Sequence, residues 1–396
     1  EEPCNIKVPE DFQTIQEAIN RAENGDTICV GNGTYKENIN FMGKVVTIKS
    51  VNGAKKTKLD GNNVDSVVTF NHSERANSVL DGFTITNGGN SAGGGGIKCI
   101  NASPTILNCM IVSNSAWSGG GIFLSFSSPT IYNCVISKNE ATSGNGGGIY
   151  SNDSSVPIIA NCIINRNVTT NSGGGIYCGY SSPLTITNCR IDKNISKDSG
   201  GGIYCSSFSP ATIKGCIISN NSGSGGGGLF CDKSSLTIEN STVSDNVSKD
   251  AGGGILLMSA IEASISNCTI TNNKAINTSG GGIFCYDTAP VMISTILWGN
   301  HAATKGSEAH LIGKGAMSIS YSNVNVDEIF GLWTGTKNIN DDPEFVDSEF
   351  GNYHLQKGSP CIDIGFDEDA PADDIDGQLR PQGKGIDIGS DEYKAP

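Results

Sequence analysis

From residue 94 to residue 300 the chain alternates apolar and polar residues in short runs, broken by Gly, Ser and Asn, with no sustained helical periodicity. Three glycines followed by Ile or Leu recur. The last glycine of each group falls at Gly96, Gly121, Gly148, Gly175, Gly202, Gly228, Gly254 and Gly282, in steps of 25–28 residues. A second string, built on Asn-Cys-x-Ile-x-x-Asn, keeps the same beat and ends on Asn114, Asn139, Asn167, Asn194, Asn221, Asn246, Asn273 and Asn300. Self-similarity at such a period marks a solenoid. Each period holds three short alternating segments, such as Ile176-Tyr177-Cys178, Leu184-Thr185-Ile186 and Cys189-Arg190-Ile191. The pattern predicts an all-β, right-handed parallel β-helix with three strands per coil, about 27 residues per coil and coils ~4.8 Å apart.

The alternation also assigns faces. Two residues after each Cys position stand Ile111, Ile136, Ile164, Ile191, Ile218, Val243, Ile270 and Leu297, which predicts that they and the Cys positions point inward. The residue between them then points outward: Met110, Val135, Ile163, Arg190, Ile217, Thr242, Thr269 and Ile296. By the same logic Ile122, Ile149, Ile176 and Ile203 are inside, and Phe123, Tyr150, Tyr177 and Tyr204 are outside. The recurrent Asn is expected at a turn, with unusual backbone angles, passing amide hydrogen bonds from coil to coil. Near the N-terminus, Thr14-Ile15-Gln16-Glu17 reads as a capping box opening an amphipathic helix over 14–24 that plugs the first coil. The expected organisation is an N-terminal cap and first coils over 1–60, the β-helix over 61–325, and an acidic, loop-rich C-terminal region over 326–396 that packs on or caps the helix.

Charge sharpens this division. The 396 residues carry a net charge of -14, and residues 340–396, with 15 Asp and Glu against four Lys and Arg, account for -11 of it. With no basic run, nucleic acid is not an expected partner. No stretch is long and apolar enough to predict a membrane span. Most of the 14 Cys fall at inward positions and read as buried thiols, whereas Cys4 and Cys29 lie outside that pattern, where a bridge would tie down the cap. The chain starts at Glu1 without Met, as after signal-peptide removal, so an extracellular or cell-surface location is expected.

Three outward features carry candidate chemistry. Phe123, Tyr150, Tyr177, Tyr204, Phe230 and Phe284 form an aromatic stripe, expected to hold glycan or a partner. Met110, Val135, Ile163, Ile217 and Ile296 form an aliphatic stripe, expected to lie under the C-terminal region or against another copy of the chain. Asp363, Asp367, Asp369, Asp373, Asp374 and Asp376 offer hard oxygen ligands without thiol or imidazole, which points to Ca²⁺. No catalytic set is expected, because uniform coils leave no long loop to wall a groove. The alternative is an enzyme centred on Arg190 and Arg166, with Asp192 and Lys193 beside them.

The opening VPEDFQTIQEAINRAENGDTICVGNGTYKENINFMGKVVTIKS resembles the N-terminal cap and first coils of secreted right-handed β-helix proteins of the pectin-lyase-like superfamily. The glycine-rich coils are similar to those of bacterial surface β-helix proteins with polymorphic outer-membrane-protein-type repeats. The segment DDPEFVDSEFGNYHLQKGSPCIDIGFDEDAPADDIDGQLRPQGKGIDIGSDEY resembles the choice-of-anchor Q region that follows such helices. The resemblance implies export and often envelope attachment, and superfamily enzymes cleave acidic polysaccharides. The expected function is a structural or adhesive surface protein, self-assembling or glycan-binding and without catalysis. A polysaccharide lyase, hydrolase or epimerase is the alternative.

Overall fold

The computed structural model describes residues 4–368 and 370–394. The chain is an all-β parallel β-solenoid of about 11 coils, with about 27 residues per turn and one helix near the N-terminus. It forms two compact units, one of Glu1–Thr185 with Asn194–Lys197 and one of Ile186–Lys193 with Asp198–Pro396.

In the first unit the helix runs over Ile15–Arg21. The Thr14 hydroxyl accepts the Glu17 N–H at 3.2 Å, and the Glu37 carboxylate accepts the N–H groups of Ile15 and Gln16, each at 3.0 Å. Those first-turn donors have no partner within the helix, so Glu37 completes what the capping residue begins. Ile15, Ala18 and Ile19 are fully buried, and a Cys4–Cys29 disulfide ties the segment before the helix to the strand after it. Further along, identical inward residues stack in register: Ile122 on Ile149 and Ile149 on Ile176, all without exposed surface. The inward cysteines of both units are buried thiols.

Among the described residues, a fourth sheet of nine short strands, most of them two residues long, joins the expected three. They include Glu140–Ala141 and Val168–Thr169 in the first unit and Val247–Ser248 and Lys274–Ala275 in the second. The repeated Asn precedes this short strand and faces the interior. Asn139 accepts the backbone N–H and the side-chain Nδ2–H of Asn114 on one Oδ1, each at 3.0 Å, and donates Nδ2–H to Ile111 O at 2.9 Å and to Asn167 Oδ1 at 3.0 Å. The ladder is therefore as expected, but the positive backbone angle is not on it. That angle falls one residue earlier, at Lys138 (φ 55°) and Arg166 (φ 54°). The bend is made before the Asn so that the amide itself can point inward with ordinary geometry.

In the second unit the ladder runs from Asn246 to Asn273 to Asn300 and ends on a carboxyl, with Asn300 Nδ2 donating to Glu308 Oε2 at 2.6 Å. The three-glycine motif belongs to the same device. Gly252 takes φ +67°, and a Cβ on Gly254 would lie 2.7 Å from Gly282 O and 3.0 Å from the Asn273 amide. Any larger residue would push apart the coils that the Asn ladder holds together.

The C-terminal region of this unit packs on a face of its coils. The hydroxyl of Ser390 meets those of Thr242 (2.9 Å) and Thr269 (3.1 Å), and the Gly389 N–H donates to Ser294 O at 2.9 Å. Leu355, Cys361 and Ile388 form a small core with Ile296. The region is clamped internally by Arg380, whose Nη1 lies 2.8 Å from Glu392 Oε1 with both side chains buried. The docking explains why three consecutive outward positions, Thr242, Thr269 and Ile296, are buried.

Candidate functional site

Where the C-terminal region stops covering the sheet, it leaves a cleft in the second unit. The floor is sheet: Arg190 on the strand Arg190–Asp192, Ile217 and Ser219 on the next coil, and Thr242 and Ser244 on the one after. The wall comes from Phe350, Tyr353, His354, Ile375, Asp376 and Asp391, around a cavity of about 190 Å³. An adjoining hollow of about 540 Å³ shares Arg190 and Ile217 and is lined further by Lys214, Glu239 and residues 371–377. Uniform coils thus do acquire a groove, because a distant segment of the chain supplies the wall that no coil loop provides.

Polar groups converge here. The Tyr353 hydroxyl donates to both carboxylate oxygens of Asp245 at 2.8 and 2.9 Å, and burial together with the Asp245 charge pushes that phenol up. His354 Nε2 lies 2.6 Å from Asp376 Oδ2 and 3.9 Å from Asp391 Oδ1. Burial opposes the imidazolium, but the Asp376 hydrogen bond and the Asp391 charge outweigh it and raise the His354 pKa. Burial raises Asp391 as well. Arg190 Nε sits 3.6 Å from Asp192 Oδ2, and Lys214 Nζ sits 2.6 Å from Glu239 Oε2.

Arg190 faces the cleft and Lys193 Nζ reaches Asp192 at 3.9 Å, and Arg166 occupies a left-handed bend of the first unit. The aromatic stripe turns its ring faces on itself. Phe123 and Tyr150 stack at 5.1 Å with planes 14° apart, and Tyr150 and Tyr177 at 5.2 Å and 5°. Tyr204 and Phe230 lie 4.9 Å apart, and Phe284 meets His310 edge-on at 5.3 Å. Tyr177 is only 8% exposed. A sugar platform needs an open ring face, and Phe123, Tyr150 and Tyr177 turn their stacked faces on one another. Of the aliphatic stripe, Ile296 is covered by the C-terminal region, Ile217 floors the cleft, and Met110, Val135 and Ile163 (40% exposed) stay open in the first unit.

The aspartates are also divided. Asp363 accepts the N–H groups of Lys384 and Gly385, Asp367 that of Ile386, and Asp374 those of Asp376, Gln378 and Glu392. These three carboxylates organise loop backbone, Asp373 is exposed, and Asp369 lies outside the described residues. Only Asp376 joins a convergent group. With His354 and Asp391 it forms the one set of potential metal ligands among the described residues, all ligand atoms lying within 4.8 Å of one another.

The family model for the right handed beta helix region matches residues 46–197 and 191–328, most of the chain. The chain belongs to the right-handed β-helix family. No curated protein matches this β-helix chain. Among solved structures, the β-helix is similar to the crystal structure of pectate lyase Pel9A, at 15% identity over 96% of this chain and 91% of that one, with a TM-score of 0.54. A pectin methylesterase from carrot aligns at 13% identity over 79% and 90%, with a TM-score of 0.34. At these identities the first likeness shows the fold alone. Sequence reasoning missed His354, Tyr353, Asp245 and Asp391 as site residues. Their one signal was that His354 is a rare residue set inside an acidic segment.

Proposed function

We propose that this β-helix protein is an extracellular, glycan-binding surface protein whose ligand lies in the cleft floored by Arg190 and Ile217. The observation that supports the reading is the C-terminal wall, which converts a flat sheet into a groove lined by both apolar and hydrogen-bonding side chains. Clefts of this mixed character are common ligand sites. Arg190 is half-exposed at the groove floor, and a guanidinium keeps its proton in proteins, which suits binding of hydroxyl or carboxylate oxygens. The likeness to a pectate lyase fold is compatible with a saccharide ligand. A second reading, catalysis on an acidic polysaccharide, is favoured by the His354–Asp376 pair in the same groove.

Glycan arrays carrying neutral, uronate and sulfated chains test the first reading. Arg190→Gln is expected to weaken binding at least tenfold while leaving the melting temperature unchanged. Absence of binding to every array class, or binding indifferent to Arg190→Gln, refutes it. Release of unsaturated products or reducing ends from the same polysaccharides establishes the second reading instead.

A further inference from the structure

The cluster of His354, Asp376 and Asp391 is held in an unusual state. Asn352 Oδ1 accepts the backbone N–H of His354 at 3.3 Å, which fixes the oxygen, and not the amide nitrogen, toward the imidazole. His354 Nδ1 therefore carries its proton to Asn352 Oδ1. The other nitrogen, Nε2, is left facing two carboxylates. One of these is independently unusual. Asp391 is 5% exposed, its Oδ2 accepts the Leu355 N–H at 2.9 Å, and its Oδ1 is buried without a hydrogen-bond partner among the described residues. A buried carboxylate oxygen without a hydrogen bond, 3.9 Å from an imidazole nitrogen, needs a positive charge beside it, and either a proton on Nε2 or a metal ion supplies one.

We propose that His354 Nε2, Asp376 and Asp391 Oδ1 form a binding site for a first-row divalent transition metal, with Zn²⁺ as the reference ion. The imidazole selects for such ions over Ca²⁺, which needs six to eight oxygen ligands. Tetrahedral Zn²⁺ with bonds near 2.0–2.1 Å places its ligands roughly 3.3 Å apart. The distances of 2.6 and 3.9 Å from Nε2 bracket that value, and His354 and Asp376 are exposed enough to adjust. Asn352 supplies the outer hydrogen bond that holds a metal-binding histidine in one tautomer. Asp245 and Asp374 add negative charge nearby, against Arg190 in the cleft and Lys214 in the adjoining hollow, the latter paired with Glu239. Three protein ligands leave a position open toward the cleft, so a bound oxygen of a ligand or of water completes the sphere.

The site stands whether or not the cleft binds glycan, and its test uses no glycan. Full-length protein stripped with chelator is titrated with Zn²⁺ by calorimetry and with Co²⁺ by visible absorption. One equivalent is expected to bind, Co²⁺ showing the bands of a nitrogen–oxygen site, and millimolar Ca²⁺ leaves it in place. His354→Gln and Asp376→Asn, at exposed positions, are each expected to weaken binding at least ~100-fold with the melting temperature of the metal-free protein unchanged, and Asn352→Ala about tenfold. Asp373→Asn leaves it unchanged. Failure to take up Zn²⁺, uptake that survives His354→Gln, or displacement by Ca²⁺ overturns the proposal.

Discussion

Asn139→Ala puts the interior amide ladder to a quantitative test. In the native chain the Asn139 amide makes four contacts of 2.9–3.0 Å, all shielded from water, and the residue is 1% exposed. Alanine removes them together. Asn114 Nδ2 keeps its bond to Ile85 O, and Asn167 Oδ1 keeps the Asn139 backbone N–H. The Asn114 backbone N–H loses its acceptor, and Ile111 O loses the amide donor while keeping its ladder partner. At about 1–3 kcal/mol for the stranded N–H and about 1 kcal/mol for each of the two bonds that the Asn139 amide donates, the local cost is about 4 kcal/mol. Because repeat proteins open locally, hydrogen exchange read by mass spectrometry suits the measurement better than one global transition. A loss of about 4 kcal/mol accelerates exchange in peptides spanning 106–142 roughly a thousandfold, at tenfold per 1.4 kcal/mol. Asn139→Asp keeps the volume but sets a carboxylate oxygen against two carbonyl oxygens, so it costs at least as much. Glu140→Ala, at the exposed neighbour, moves exchange by less than about threefold. If Asn139→Ala behaves like Glu140→Ala, the amide ladder does not hold the coils together and this reasoning fails.

Other expected outcomes follow from the second unit. Burial pushes the Glu308 carboxyl up to about 8 from the ordinary 4.5, against the lowering effect of the Asn300 amide. A raised acid stabilises the fold most below pH 4.5, and that contribution is lost as pH rises through about 8, by roughly 3 kcal/mol between pH 5 and 8. Glu308→Gln, which keeps an oxygen for Asn300, therefore flattens the melting temperature against pH and raises it at pH 8; an unaltered profile contradicts the assignment. Glu392→Ala strands the buried Arg380 guanidinium and costs about 3–5 kcal/mol. Limited proteolysis should then cut within residues 370–394, and resistance equal to the native chain counts against the clamp. Gly254→Ala forces a Cβ against Gly282 O and costs about 1–3 kcal/mol, measured as a lower urea midpoint.

The sequence by itself determined the winding. A period of about 27 residues, the alternation around each Cys, and the repeated Asn and Gly are local rules that every coil repeats, so each reinforces the last. Ile122, Ile149 and Ile176 consequently lie where alternation puts them, and the Asn ladder forms as expected. The fourth short strand and the bend at Lys138 escaped because two extended residues and one positive φ leave almost no compositional trace. Tertiary structure alone decided the cleft. Ser390 meets Thr242 and Thr269 across more than a hundred residues, and the same docking brings His354, Asp376 and Asp391 together over the coil that carries Arg190. No spacing encodes that convergence, since the C-terminal region has no repeat and its carboxylates look alike in sequence. Which of them cap loop backbone and which face a histidine depends on where the segment lands, and the buried hydroxyls and apolar contacts under it fix that position.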